Sequence, residues 1–154
     1  MRRARKLLIV LAFLGPLACT AGAEDHPVGG DRLILRDSAA PSERRFKFRA
    51  VRDGDIDPSV LDDPTTVGAT LEVKGANAGD GDTGLLVLDA ARWTGLGNPP
   101  GARGYRYLDR DRTTGVKNVL LKSGNLGGTL AMNGGGMDWP YAVTQLQGGP
   151  IDVR

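Results

Sequence analysis

Glycine and proline interrupt this chain so often that long helices have little room to form. The 154 residues include 23 glycines and nine prolines, and turn-forming pairs such as Asp53-Gly54 and Thr114-Gly115 separate short apolar runs. Within these runs the apolar residues recur at every second position, which is the period of a strand with one buried and one solvated face. The chain is therefore predicted to be an all-β domain.

Two segments show the alternation most clearly. Phe46, Phe48 and Ala50 alternate with arginine and lysine, and apolar residues take every second position over 67–73. Further strands are predicted at Arg32–Arg36, 85–89, Gly104–Leu108, Val116–Lys122, 129–132, 141–146 and Ile151–Val153. Helical turns are expected only at 58–62 and 89–93. About eight or nine short strands at this spacing favour an antiparallel β-sandwich, with a partly open barrel as the alternative.

The N-terminus has the pattern of an export signal. Basic residues at positions 2, 3, 5 and 6 precede an apolar run over 7–14, and Ala21-Gly22-Ala23 matches an A-x-A cleavage site. The run is shorter than the roughly 20 residues that a permanent membrane helix needs. We therefore expect a signal peptide over 1–23, a flexible lead-in over 24–30 and one β domain over 31–154, secreted or periplasmic. Lipid anchoring at Cys19 is the less favoured alternative, because Pro16 stands where a lipoprotein signal has an aliphatic residue.

The charge balance changes once the leader is removed. The whole chain has 20 basic and 18 acidic residues and a formal net charge of +2. Four basic residues lie in the leader, so the processed chain has 16 basic and 18 acidic residues, a net charge of −2. A nearly neutral balance argues against a nucleic-acid footprint or a polybasic membrane patch. We expect a protein or glycan partner at the cell envelope, no nucleic acid and no permanent membrane span.

Several catalytic chemistries lack the residues they need. Cys19 is the only cysteine and His26, beside the cleavage point, is the only histidine. A histidine triad, a multi-histidine zinc site or a catalytic thiolate is therefore excluded from the processed domain. The glycines at 95, 97, 101 and 104 do not have the spacing of a dinucleotide or Walker loop. The domain is predicted to be non-enzymatic and to use no cofactor.

An acidic run leaves one metal alternative open. Asp53, Asp55 and Asp57 form a D-x-D-x-D pattern after a predicted strand, and calcium prefers carboxylate oxygens presented by loops. The pattern departs from an EF-hand loop because Pro58 occupies the glycine position and Pro64 stands where the bidentate glutamate belongs. The favoured interpretation is a set of turn aspartates that form local hydrogen bonds.

Aromatic residues in the second half of the chain leave a ligand alternative open. Tyr105 and Tyr107 are two positions apart and therefore share a strand face. Together with Trp93 and Trp139 they could stack on a sugar ring, as in β-sandwich carbohydrate-binding modules. The favoured interpretation is that these rings fill the core, with the tyrosine hydroxyl groups at its edge.

Three stretches of the chain carry a resemblance. Residues 63–73, 93–109 and 115–124, the second with the pattern W-x-G-L-G-N-P-x-G-x-x-G-Y-x-Y, resemble an uncharacterised β-rich domain recurrent in predicted secreted or surface proteins of environmental bacteria. That domain has no established activity, so the resemblance implies a fold and a location and assigns no catalytic residue. Its members commonly continue through another strand past the equivalent of Val153, so the resemblance also implies that a final strand is lacking here.

Overall fold

The computed structural model describes residues 30–75, 81–141 and 151–153. The expected signal peptide over 1–23 and all but the last residue of the lead-in lie outside these ranges, as does most of the strand predicted over 141–146. The helices and strands of the described residues have the following bounds: β1 Arg32–Arg36, β2 Arg45–Asp53, α1 Pro64–Val67, β3 Ala69–Leu71, β4 Val73–Gly75, β5 Leu86–Leu88, β6 Trp93–Gly95, β7 Gly104–Leu108, β8 Val116–Lys122, β9 Gly128–Gly135 and β10 Ile151–Val153. Single turns of 3₁₀ helix occupy Pro41–Glu43 and Ala90–Arg92.

These strands confirm a mostly β, antiparallel architecture, to which α1 adds one short helix. Six of them form one sheet in the order β1-β2-β9-β8-β7-β6, while β3 pairs with β5 and β4 pairs with β10. Every pairing between these strands is antiparallel. Among the described residues the sheets do not close into a barrel.

One face of the six-stranded sheet is buried because the apolar side chains of neighbouring strands are in register. In one row Leu33, Phe48, Met132, Val119 and Tyr107 lie opposite one another across β1, β2, β9, β8 and β7. The two short strand pairs contribute to the same core, to which they supply the buried residues Leu71, Val73 and Leu88. The alternation predicted around Phe46 and Phe48 is confirmed, and the intervening basic residues are exposed.

The prediction of one continuous strand over 67–73 was wrong. Asp63 caps α1 through a 2.8 Å hydrogen bond from the N–H of Thr65 to its carboxylate, and Pro64 occupies the first helical turn. Gly68, with φ of 75°, ends the helix, and Val67 is 67% exposed rather than buried. The following residues divide into β3 and β4, which belong to different sheets.

The two predicted helical turns had different outcomes. The turn over 89–93 is confirmed as the 3₁₀ helix Ala90–Arg92, which the carboxylate of Asp89 caps. The prediction of a helical turn over 58–62 was wrong, since that segment forms no helix. Helix α1 begins six residues after position 58, at Pro64. Proline at the first position of a helix after an aspartate cap is the favoured arrangement, and Asp63-Pro64 provides it.

Candidate anion-binding surface

The four aromatic residues considered as a ligand face lie in the core. Trp93 and Tyr105 are each 8% exposed. Tyr107 and Trp139 are each 1% exposed. Trp93 packs against Tyr107 with ring centroids 5.4 Å apart, and Trp139 stacks on Phe46 at 4.6 Å. The rings therefore stabilise the fold, and none of them presents a face on which a sugar could stack.

The aspartates considered as calcium ligands are engaged in turns. The carboxylate of Asp53 accepts a hydrogen bond from the N–H of Asp55 at 2.9 Å. That of Asp57 accepts bonds from the hydroxyl and the N–H of Ser59 at 2.7 and 2.9 Å, and these bonds lower the pKa of Asp57. In the part of the chain that the structure describes, no three acidic, histidine or cysteine side chains are grouped so that they could hold a metal ion.

The outward face of the six-stranded sheet is strongly basic. Its outward positions are those that alternate with the buried residues, and Asp53 is the only acidic residue in the six strands. Register places Arg32 beside Arg49 and Lys47 beside Asn133 on this face, which we call the basic face. Its cations are Arg32, Arg36, Arg45, Lys47, Arg49, Arg106, Lys117 and Lys122.

A cleft of about 410 Å³ lies at one end of the basic face. Its charged lining residues come from the 3₁₀ helix Pro41–Glu43 and the residue after it, from β2, from the β7–β8 loop and from β8: Glu43, Arg44, Arg45, Lys47, Arg112 and Lys117. Ser42, Asn133 and Gly134 complete the lining. Among the described residues, Arg45, Lys47 and Lys117 form no ion pair with a carboxylate. We call this the first cleft; these three cations are available to an incoming anion.

A buried carboxylate fixes the loop that presents Arg112. Asp109 is 1% exposed and accepts hydrogen bonds from the N–H groups of Asp111, Arg112 and Thr113 at 3.0, 3.0 and 2.8 Å, and from the Thr113 hydroxyl at 2.9 Å. It also pairs with Arg92. Burial alone would raise the pKa of Asp109, but the bonds from Thr113, the charge of Arg92 and the Arg112 N–H together lower it. The loop is thereby held with Arg112 at φ of 56°.

Hydrogen bonds of Arg44 and close backbone packing at Gly134 fix two parts of the lining of the first cleft. The Arg44 guanidinium is held by Asp37 at 2.9 Å and by the carbonyl oxygen of Trp139 at 3.4 Å. A Cβ on Gly134 would lie 2.4 Å from the carbonyl oxygen of Gly115. Only glycine therefore fits at position 134, where β8 and β9 are joined across a register shift between Val116 and Asn118.

A second, smaller cleft of about 240 Å³ is lined by Leu96, Gly97, Arg103 and Lys122. The β6–β7 connection is tied together by the Arg103 N–H, which donates to the carbonyl oxygen of Leu96 at 2.9 Å. Gly97 has φ of 98°, and a Cβ there would lie 2.8 Å from the Arg103 side chain. This second cleft also carries positive charge, from Arg103 and Lys122.

The basic face was missed in the sequence because its cations come from distant segments. The alternation of Arg45, Lys47 and Arg49 with apolar residues did predict a solvated strand face. Nothing in the sequence, however, places Arg106 and Lys122 on that same face, because their neighbours are decided by the strand order. Net charge was equally uninformative, since it sums over all faces of the molecule.

Comparisons of the chain with family models, with curated proteins and with solved structures give no match. The resemblance to a β-rich domain of bacterial surface proteins therefore stays a prediction. Within the described residues, no helix has the length and apolar character that crossing a membrane requires.

Proposed function

We propose that this chain is a non-enzymatic, exported interaction module that holds a linear acidic polysaccharide on its basic face. The observation that carries the proposal is the one-sided charge of the six-stranded sheet. Its outward positions hold arginines and lysines from β1, β2, β7 and β8, and the only acidic residue of its strands is Asp53. A surface of one sign raises the local concentration of oppositely charged polymer even when the net charge of the protein is small.

The chemistry of the cations suits sugar-borne sulfate, phosphate or carboxylate groups. Guanidinium groups such as those of Arg45 and Arg49 can form paired hydrogen bonds with oxyanions, and the ammonium groups of Lys47 and Lys117 act as compact point charges. Since these side chains are exposed, each contact is partly screened. Affinity on such a surface comes from many modest contacts rather than from one strong pair.

The buried rings argue against a single-stranded nucleic acid as the partner. Every aromatic side chain in the described part of the chain is buried, whereas proteins that bind single strands stack bases on exposed aromatic rings. The expected export signal would bring the domain to the compartment where envelope and extracellular polysaccharides are found. The first observation disfavours single-stranded nucleic acid, and the second supports an acidic glycan as the partner.

A β-sandwich is the arrangement that we propose for the whole domain. The six-stranded sheet forms one layer, and the β3–β5 and β4–β10 pairs supply Leu71, Val73 and Leu88 to the core that covers its inner face. The outer face of the same sheet then has no layer upon it from these pairs. One face of the sheet is thus buried in the core and the other is charged and solvated, which supports an interaction role.

The test compares binding of sulfated and carboxylated polysaccharides by the wild type, Arg49→Gln and Lys74→Gln. Arg49 lies on the basic face, while Lys74 lies on β4 and pairs with Glu72. We expect Arg49→Gln to weaken binding about two- to fivefold, the equivalent of an exposed ion pair of ~0.5–1 kcal/mol. Lys74→Gln should leave affinity unchanged, although it removes the same charge.

Two outcomes would count against the proposal. Equal weakening by both variants would show that net charge, not the basic face, controls binding. Tighter binding of single-stranded DNA or RNA than of any acidic polysaccharide, at the same ionic strength, would assign the face to nucleic acid instead.

A further inference from the structure

We infer that the first and second clefts are two subsites for one linear acidic oligosaccharide, which lies along strand β8. This inference rests on the proposed function and adds the position and the length of the bound ligand. It follows from where the clefts stand on the sheet, from what lies between them and from how rigidly each is built.

The two clefts stand at opposite ends of β8. Lys117 lines the first cleft near the start of this strand, and Lys122 lines the second at its end. They are five positions apart, which corresponds to ~17 Å along a strand at about 3.3 Å per residue. Lys117 lies at the register shift between Val116 and Asn118 and lines the first cleft together with Lys47 of the basic face. Lys122 follows the inward-facing Leu121 and therefore also projects from the basic face.

The surface between the clefts is free of carboxylates from the strands. The outward residues of β8 there are Asn118 and Leu120, and their neighbours on β9 are Asn133 and Ala131. On the other side Arg106 lies beside Leu120. An acidic chain that passes from one cleft to the other along β8 therefore meets no carboxylate of the strands, and Arg106 offers a cation midway.

The two subsites differ in strength, which gives the bound chain a preferred register. The first cleft holds Arg45, Lys47, Arg112 and Lys117 against the exposed carboxylate of Glu43, whose Oε2 accepts the Ser38 hydroxyl at 3.1 Å. The second holds only two cations, Arg103 and Lys122. The first cleft therefore provides the anchor, and the second adds affinity only to a chain that reaches it.

This arrangement predicts a length threshold. A short oligosaccharide occupies the first cleft alone, and adding sugars increases its affinity only gradually. Once the chain spans both clefts, its second contact forms at a high effective concentration, so affinity rises by more than the added charges explain. The backbone bonds that fix Arg112 and Arg103 reduce the ordering that this contact requires.

The experiment measures the affinity of the full chain for size-defined, fully sulfated oligosaccharides prepared from heparin, from disaccharide to decasaccharide. We expect a step of more than about tenfold between two successive lengths in the wild type and in Lys74→Gln. Lys122→Gln should abolish the step while leaving the affinity of the shortest oligosaccharides within twofold. Lys117→Gln should weaken binding at every length.

Arg103→Gln is a second variant at an exposed position, and it should reproduce the effect of Lys122→Gln. A smooth rise with charge in the wild type would overturn the two-subsite inference and leave the proposed function standing. An equal loss of affinity at all oligosaccharide lengths in Lys122→Gln would likewise overturn the two-subsite inference and leave the proposed function standing. An absence of binding at any length, together with none to long acidic polysaccharides, would overturn both.

Discussion

At the scale of single residues, buried Asp109 has the clearest electrostatic role. It follows β7, and its carboxylate accepts three backbone N–H groups while it pairs with Arg92. Burial raises the pKa of the neighbouring Tyr107, and the negative charge of Asp109 raises it further. The residue therefore organises the loop that presents Arg112 to the first cleft, although it does not line that cleft itself.

We expect the stability contributed by Asp109 to depend on pH. Its pKa is lowered in the folded state, so the unfolded chain binds this proton more tightly. The contribution is thus fully present above the ordinary carboxyl pKa of about 3.9 and is lost as pH falls through the lowered folded value. Melting temperatures of the wild type and Asp109→Asn from pH 7 to pH 2 would measure it.

In that series Asp109→Asn should be less stable at pH 7 by about 2–3 kcal/mol, because Arg92 loses its charged partner. Its disadvantage should shrink as the pH approaches 2. Asp111→Asn is the matched control at an exposed neighbouring position. A constant difference between Asp109→Asn and the wild type at every pH would show that the Asp109 charge makes no contribution.

At the scale of elements, the β6–β7 hairpin and its junction with β8 depend on glycine. Gly104 begins β7 with φ of 105°, and a Cβ there would lie 2.1 Å from the carbonyl oxygen of Leu121. The turn-rich sequence around it predicted a change of direction, and Gly104–Leu108 was confirmed as a strand. The close approach to β8 was not predictable, because Leu121 lies far along the chain.

Gly104→Ala should therefore destabilise the protein by at least ~2 kcal/mol, since strain at positive φ adds to a backbone clash. Gly54→Ala is the control, because a Cβ at Gly54 would meet nothing within 4 Å. That variant should stay within ~0.5 kcal/mol of the wild type. Urea denaturation midpoints measure both. Equal midpoints for the two variants would contradict the close packing of β7 on β8.

At the scale of the whole molecule, the separation of a buried and a charged sheet face determines the behaviour in salt. Polyanion binding on the basic face should weaken as ionic strength rises, because displaced counterions and screening both oppose it. The double variant Arg45→Gln/Lys47→Gln should reduce the slope of log affinity against log salt by roughly one to two. Binding of a long sulfated polysaccharide between 50 and 300 mM salt checks this.

The control for that measurement is again Lys74→Gln, whose slope should equal that of the wild type. A slope near zero in the wild type would show that binding does not depend on the basic face. In that event the contacts would have to come from uncharged groups, and the electrostatic basis of the proposed function would be contradicted.

The sequence by itself determined the elements that depend on local periodicity. Arg32–Arg36, Gly104–Leu108, Val116–Lys122 and Ile151–Val153 were predicted with the bounds that the structure has, because a period of two and flanking turn residues are local signals. It also indicated that Phe46 and Phe48 face inward. The error over 67–73 arose where the capping signal of Asp63-Pro64 competed with that periodicity.

Only the tertiary structure decided which strands are neighbours, and with them the candidate site. Strand β2 pairs with β9 and β9 with β8, so Lys47 and Lys117 come to line one cleft although 69 residues lie between them. Strand order depends on how the apolar faces of all the strands pack together, and that is a property of the whole chain. Periodicity tells which side chains of a strand are solvated; packing alone tells which of them share a face.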